Sequence, residues 1–100
     1  MPPSHDIRFA AEHPTAAGHF PGNPIIPGAL LLDEVMRLLA AAGLRPAMIR
    51  STKFFRPVRP GEVVRLTWAS LPGAVTFECR MAADDAIAAS GTVEVGPAAA

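Results

Sequence analysis

The feature that most constrains the fold is the apolar segment ALLLDEVMRLLAAAG. Leu and Ala dominate residues 28–42, no helix breaker interrupts them, and Gly43 stands where a helix C-cap needs a glycine. The segment therefore predicts an α-helix. Apolar residues lie nearly all the way round this helix, and such a helix is normally enclosed by other structure rather than laid on a surface.

The second half of the chain predicts the sheet that would enclose the helix. Apolar and polar residues alternate with period two through residues 62–70, 74–82 and 86–95, which the turns LPG and ADDA separate. Three such runs predict an antiparallel meander with one face on a core. Residues 48–55 predict a further strand, and residues 6–12 predict a short first strand. The predicted fold class is therefore α+β, with an antiparallel sheet wrapped around the apolar helix.

Composition narrows the class of protein and the partners. Nine basic and nine acidic residues give a formal net charge of zero, so a small molecule or a protein is favoured over nucleic acid or a membrane. Cys79 has no second cysteine to pair with, and the apolar tract 29–44 is charged in the middle and too short to span a bilayer. His5 and His13 lack partners at metal-ligand spacing, so no metal site is expected. We expect one soluble, cytoplasmic domain over residues 1–100.

The loop before the helix, GHFPGNPIIPG, is unusually stiff and carries one imidazole. Gly18 permits unusual backbone angles before His19, while the prolines that follow restrict the chain. The pattern predicts an imidazole held on a rigid turn beside the start of the helix. A histidine that satisfies a backbone carbonyl in a structural turn explains the same residues without any chemistry.

The first turns of the helix add two further groups that could take part in chemistry. Pro27 suits a helix start, and Gly28 lets a ligand approach the free amides there, which favour an oxygen gaining negative charge. Asp33 lies among leucines, and a buried carboxylate needs a partner or a function. An Asp33–Arg37 ion pair at helical spacing is one explanation. Proton transfer beside an activated carbonyl is the other. Glu34 lies about 100° round the helix, so it cannot share a cavity with Asp33.

Two segments resemble a known family. GHFPGNPIIPGALLLDE is similar to the active-site segment of the bacterial 3-hydroxyacyl-(acyl-carrier-protein) dehydratases, the FabA/FabZ-like proteins with the hot-dog fold. KFFRPVRPGE is similar to the strand and turn that follow the helix in that family. Together they cover about a quarter of the chain. Because the chain begins almost at its first predicted strand, it more closely resembles the short ApeI-like relatives of specialised pathways such as aryl polyene or polyketide-like synthesis.

The resemblance implies a reaction and a role for each site residue. His19 would take a proton from C2 of a 3-hydroxyacyl thioester, and the acid form of Asp33 would protonate the departing 3-hydroxyl. The amide of Gly28, with that of Ala29, would hold the thioester oxygen, and Phe20 would belong to the same substrate site. The resemblance implies no cofactor. It implies an acyl carrier protein with a phosphopantetheine-linked substrate, and a homodimer or higher even oligomer, because in the family the His and the carboxylate meet across a dimer interface.

Arg37 departs from the family, which commonly has Gln at that position. A cation paired with Asp33 would keep that carboxylate ionised and impair it as a proton donor. We expect Arg37 to turn outward instead, because the resemblance implies a closed apolar tunnel, in which an unpaired guanidinium would be costly.

Other features leave alternatives open. Lys53, Arg56 and Arg59 are expected to contact the acidic carrier protein or its phosphate, although a solvated strand face explains them nearly as well. Trp68 and Phe77 are expected in the core. Two other functions also fit: an acyl-binding hot-dog protein without turnover, and a hot-dog thioesterase in which Asp33 activates water.

Overall fold

The structure is a computed structural model that describes residues 4–10 and 25–97. Within these ranges lie, in chain order, β1 (Ser4–Arg8), α1 (Gly28–Ala41), β2 (Pro46–Phe54), β3 (Val63–Leu71), β4 (Ala74–Met81) and β5 (Ile87–Val95). The strands form one sheet in the order β1-β3-β4-β5-β2, and every pairing is antiparallel. The predicted α+β class is confirmed.

Helix α1 begins and ends where its sequence predicts. Pro27 precedes it with φ −57° and ψ 142°, an extended conformation that the proline ring favours. At the other end Gly43 has φ 94°, in the left-handed region, and the next amide, that of Leu44, donates to the Leu39 carbonyl at 3.1 Å. The glycine therefore ends the helix by turning the chain back over its last turn.

One side of α1 builds the core. Leu31, Val35 and Leu39 are buried and lie four residues apart, so they form one ridge along the helix. They belong to an apolar cluster with inward-facing strand residues, among them Val64, Leu66, Trp68, Val75, Phe77, Cys79 and Val93. The prediction that Trp68 and Phe77 lie in the core is confirmed.

The sheet wraps helix α1 from one side and leaves the opposite side uncovered in the single chain. Ala29, Asp33 and Arg37, again four residues apart, are all exposed. The physical reason is that the sheet packs against one side of α1 only, and a helix about 10 Å across has a far side that one sheet cannot reach. We call the row formed by Ala29, Asp33 and Arg37 the open stripe.

The sheet topology combines a predicted part with an unpredicted part. β3, β4 and β5 form the expected meander. β2, by contrast, pairs with β5 and lies at the edge of the sheet. The first strand ends at Arg8, so the predicted extension to residue 12 is wrong at residues 9 and 10; its partner β3 begins at Val63, opposite Arg8, and offers no further pairing.

Gly91 of β5 is a point of close backbone approach. A Cβ at this position would meet the Ser51 carbonyl oxygen of β2 and would lie 2.7 Å from Cε2 of the Phe77 ring. Phe77 is directly opposite Gly91 on β4. The absence of a side chain at Gly91 therefore lets the largest fully buried ring of the core lie against the sheet backbone.

We expect Gly91→Ala to destabilise the protein by about 1–3 kcal/mol, because neither the backbone oxygen nor the buried ring can move freely. Urea denaturation measures the change in the free energy of unfolding. Gly96→Ala is the matched control: its Cβ would have no neighbour nearer than 3.8 Å, so its stability should match the wild type. Equal stability of the two variants would contradict the steric explanation.

Cys79 provides a second test of the core. It is a fully buried free thiol, and burial raises its pKa from 9.0 to about 12. Its contribution to stability is complete below pH 9.0 and is lost as the pH rises toward about 12, since only the unfolded thiol ionises in that window. The free energy of unfolding should therefore fall more steeply between pH 8 and 10 in the wild type than in Cys79→Ala. Parallel pH profiles for the two proteins would show that the thiol is not buried.

Candidate active site

The two segments that resemble the dehydratases meet in space. Ile26, just before α1, forms an antiparallel bridge with Val58, which follows β2. The Ile26 amide donates to the Val58 carbonyl at 2.7 Å, and both side chains are buried. This bridge fixes the start of α1 beside the end of β2, although some thirty residues separate the two along the chain.

A cavity of about 570 Å³ lies at this junction. Gly28 and Ala29 of α1 form one part of its wall, and Phe54, Phe55 and Arg56 form another. The rest of the lining is apolar and comprises Ile25, Ile26, Leu31, Pro57 and Val58. An apolar cavity with few polar groups is the usual form of a small-molecule site.

The polar groups of helix α1 at this cavity are backbone amides. The Pro27 carbonyl accepts hydrogen bonds from the amides of Leu30 and Leu31, at 3.0 and 3.2 Å. The amides of Gly28 and Ala29 have no acceptor within residues 4–10 and 25–97. Among the described residues they are donors without an acceptor, at the positive end of the helix dipole, where an oxygen carrying partial negative charge is stabilised.

Asp33 lies on the same face of α1 as Ala29, about 6 Å further along the helix axis. It belongs to the open stripe and is exposed, so the expectation of a buried carboxylate is wrong for the single chain. It does not line the cavity. Instead, the carboxylate faces the side of the helix that the sheet leaves uncovered.

Arg37 pairs with Glu34 and not with Asp33. Its Nε donates to Glu34 Oε1 at 2.9 Å, and its Nη2 contacts the same oxygen. The hydrogen bond to Glu34, and then the charge of that carboxylate, raise the pKa of Arg37. The predicted outward arrangement of Arg37 is confirmed, and the Asp33–Arg37 ion pair is absent from the described contacts. Asp33 is consequently not neutralised by its nearest cation on the helix.

His19 and Phe20, together with His13, lie outside the residues that the structure describes. The roles assigned to His19 and Phe20 stay predictions.

The three basic residues expected to contact the carrier protein fall into different environments. Arg56 lines the cavity, and its Nη1 donates to Asp84 Oδ2 at 2.9 Å. The Ala86 amide and then Arg56 donate hydrogen bonds that lower the pKa of Asp84. Lys53 lies on β2 opposite Ser90 and does not line the cavity. The Arg59 amide donates to Glu62 Oε1 at 2.8 Å within the turn after Val58.

The sequence did not indicate three features of this site. Phe54 rests against Gly28, Phe55 lines the same cavity, and Asp84 holds Arg56. The adjacent phenylalanines in KFFRP are a signal for an apolar surface near the site. Period-two alternation would place them on opposite faces of a strand. The strand ends at Phe54, however, and both residues line the cavity. Asp84 gave no signal, because its partner lies on a distant segment.

The described part of the chain contains neither a cluster of metal-binding side chains nor a membrane-spanning helix. Within it, no group of three or more His, Cys, Asp or Glu side chains is arranged to hold a metal ion. No helix among these residues is long and apolar enough to cross a membrane.

A five-stranded antiparallel sheet packed on one apolar helix, with a cavity at the helix N-terminus, defines a hot-dog protein. A subunit of the dehydratase heterocomplex ApeI:P from Xenorhabdus doucetiae has the same fold, with a TM-score of 0.77 and 24% identity over 94% of this chain and 86% of that one. Residues 4–92 match the family described as ApeI-like, ApeI dehydratase, and the chain belongs to that family.

Two curated relatives of similar sequence are FabZ proteins. The 3-hydroxyacyl-(acyl-carrier-protein) dehydratase FabZ of Thermomicrobium roseum is 41% identical over 65 residues, which is 55% of this chain and 44% of that protein. The FabZ of Chloroflexus aggregans is 40% identical over 67 residues, which is 57% and 46% of the two chains. The chain thus matches less than half the length of these relatives.

Proposed function

We propose that the protein dehydrates 3-hydroxyacyl thioesters carried by an acyl carrier protein to trans-2-enoyl thioesters. The observation that carries the proposal is the arrangement at the start of α1. Two unsatisfied amides, those of Gly28 and Ala29, open onto an apolar cavity, and Asp33 stands one turn away on the same helix face. This arrangement supplies an oxyanion site and a carboxyl group, the parts that elimination next to a thioester carbonyl requires besides a base.

In the proposed mechanism, His19 removes the proton from C2 while the Gly28 amide, with that of Ala29, stabilises the charge that develops on the thioester oxygen. The electron pair of the C2–H bond forms the C2=C3 double bond. The C3–O bond breaks, and Asp33 in its acid form gives its proton to the leaving hydroxyl, so water departs. A proton then passes from His19 back to Asp33 to complete the cycle. No cofactor takes part.

Carrier recognition is proposed at the cavity mouth, where Arg56 is the basic side chain in the lining. Its partner Asp84 is on the surface, so the pair can open at little cost and the guanidinium can meet the phosphopantetheine phosphate. Arg59 and Lys53 would extend the positive field toward an acidic carrier. We place this activity in the cytoplasm, where the buried thiol of Cys79 stays reduced.

A second chain is proposed to complete the site. The open stripe leaves Asp33 uncovered, and β2 at the edge of the sheet presents the exposed side chain of Met48, which is 53% accessible. A homodimer that covers these surfaces would bring the His19 of one chain toward the Asp33 of the other. The relative in the ApeI:P heterocomplex makes a different dehydratase chain the alternative partner.

We expect His19→Ala and Asp33→Asn each to lower the rate of dehydration by ~10²–10⁴-fold, the usual cost of losing a catalytic acid or base. Arg37→Gln is the matched control on the same helix face. Because Arg37 pairs with Glu34, its loss should leave the rate within about threefold of the wild type. Formation of the enoyl thioester from a 3-hydroxyacyl carrier protein is followed by absorbance and mass spectrometry.

The products separate the alternatives. Release of free thiol in place of the enoyl product would assign thioester hydrolysis. Binding of the acyl carrier protein without turnover would assign an acyl-binding protein. Unchanged dehydration in His19→Ala would remove that residue from the mechanism.

A mixing experiment tests whether the site is shared. If one chain supplies His19 and its partner supplies Asp33, random reassociation of the two inactive variants should restore about a quarter of the wild-type activity, since half of the dimers are mixed and each has one intact site. Sedimentation is run on the same samples. A monomer of 10.5 kDa that is nevertheless active, or a mixture that stays inactive although mixed dimers form, would refute the shared site.

A further inference from the structure

We propose that Phe54 is a positioning residue for this reaction: its ring forms a wall over the start of α1 and keeps water from the bond between the Gly28 amide and the thioester oxygen. The inference rests on the proposed function of that amide. It adds a residue from β2 to a site otherwise built from α1 and the loop before it.

The contact between Phe54 and Gly28 is direct. A Cβ placed on Gly28 would lie 2.7 Å from Cζ of the Phe54 ring, 2.9 Å from Cε1 and 3.1 Å from Cε2. The far edge of the ring therefore abuts the Gly28 backbone, and a side chain at position 28 would force the ring away from the helix. Gly28 is the first residue of helix α1, so glycine here provides steric room for the ring rather than a left-handed backbone conformation.

The backbone around Phe54 holds the ring in place. Phe54 is the last residue of β2 and pairs with Ala89 of β5. The next amide, that of Phe55, donates to the Ala88 carbonyl at 2.8 Å. Since the backbone of Phe54 and that of Phe55 are both bonded to β5, the sheet sets the direction in which the Phe54 side chain leaves β2.

Exposure distinguishes this ring from a core residue. Phe54 is 53% accessible although it touches the helix, and it lines the cavity together with Gly28 and Ala29. One face of the ring is thus available to a ligand that occupies the cavity. Such an apolar wall lowers the local dielectric, and a hydrogen bond from an amide to a developing oxyanion is stronger where water is excluded.

Phe54→Ala should lower kcat for dehydration about tenfold while KM changes little, a smaller loss than the ~10²–10³-fold that follows removal of an oxyanion donor. Phe54→Leu keeps an apolar side chain of intermediate size, with no atom at the Cζ position that abuts Gly28, and should retain more of the rate than Phe54→Ala. Leu71→Ala is the matched control: Leu71 is as exposed, at 52%, but it is the last residue of β3 and is not part of the cavity lining. Its kcat should stay within about twofold of the wild type.

A second measurement does not depend on turnover. The infrared stretch of a thioester carbonyl, in a bound acyl pantetheine that lacks the 3-hydroxyl and therefore cannot react, labelled with ¹³C at that carbonyl, should shift to lower frequency on binding to the wild type. The shift should be smaller in Phe54→Ala and unchanged in Leu71→Ala. Unfolding in urea should further show that Gly28→Ala is destabilising in the wild type but nearly neutral in a Phe54→Ala background, because the collision is then gone.

The outcomes separate this inference from the proposed function. A wild type that shifts the carbonyl but does not dehydrate would refute dehydration and retain the role of Phe54. Normal dehydration with an unchanged kcat and carbonyl shift in Phe54→Ala would refute the role of Phe54 and retain the function. Absence of any carbonyl shift in the wild type would overturn both, and equal destabilisation by Gly28→Ala in the two backgrounds would refute the contact itself.

Discussion

The structure depends on the packing of one ridge of helix α1 against the sheet. Leu31, Val35 and Leu39 are almost completely removed from water, and burial of each such side chain contributes about 1.5–3 kcal/mol. Leu31 is less than one turn from Gly28, so the same packing fixes where the first amides of the helix lie. The position of the candidate site is therefore a consequence of core formation.

Different sides of helix α1 belong to the core and to the candidate site. The buried ridge faces the sheet, while the open stripe carries Asp33 on another side. Partly buried leucines, among them Leu32, lie between the two. A helix that is apolar nearly all round but covered on one side has surface left to bury, and the proposed second chain would bury it.

Charges near the site are balanced locally. Glu34 holds the guanidinium of Arg37, and Asp84 holds that of Arg56. The cations adjacent to α1 and to the cavity are thus drawn away from Asp33 and from the first amides. As a result, the helix dipole and the apolar wall near Phe54 dominate the environment of the described part of the site, where fixed dipoles act more strongly than they do in water.

The sequence by itself determined the features that depend on neighbours along the chain: the helix with its stop at Gly43, the inward faces of β3, β4 and β5, and the segments that resemble the dehydratases. Period-two patterning assigns a face to a strand but not its neighbour, so only the tertiary structure placed β2 beside β5. Helical spacing allowed Arg37 to reach Asp33 or Glu34, and in the folded chain it pairs with Glu34. The Ile26–Val58 bridge and the ring of Phe54 over Gly28 join segments far apart in sequence, and such contacts depend on how the whole chain folds rather than on local pattern.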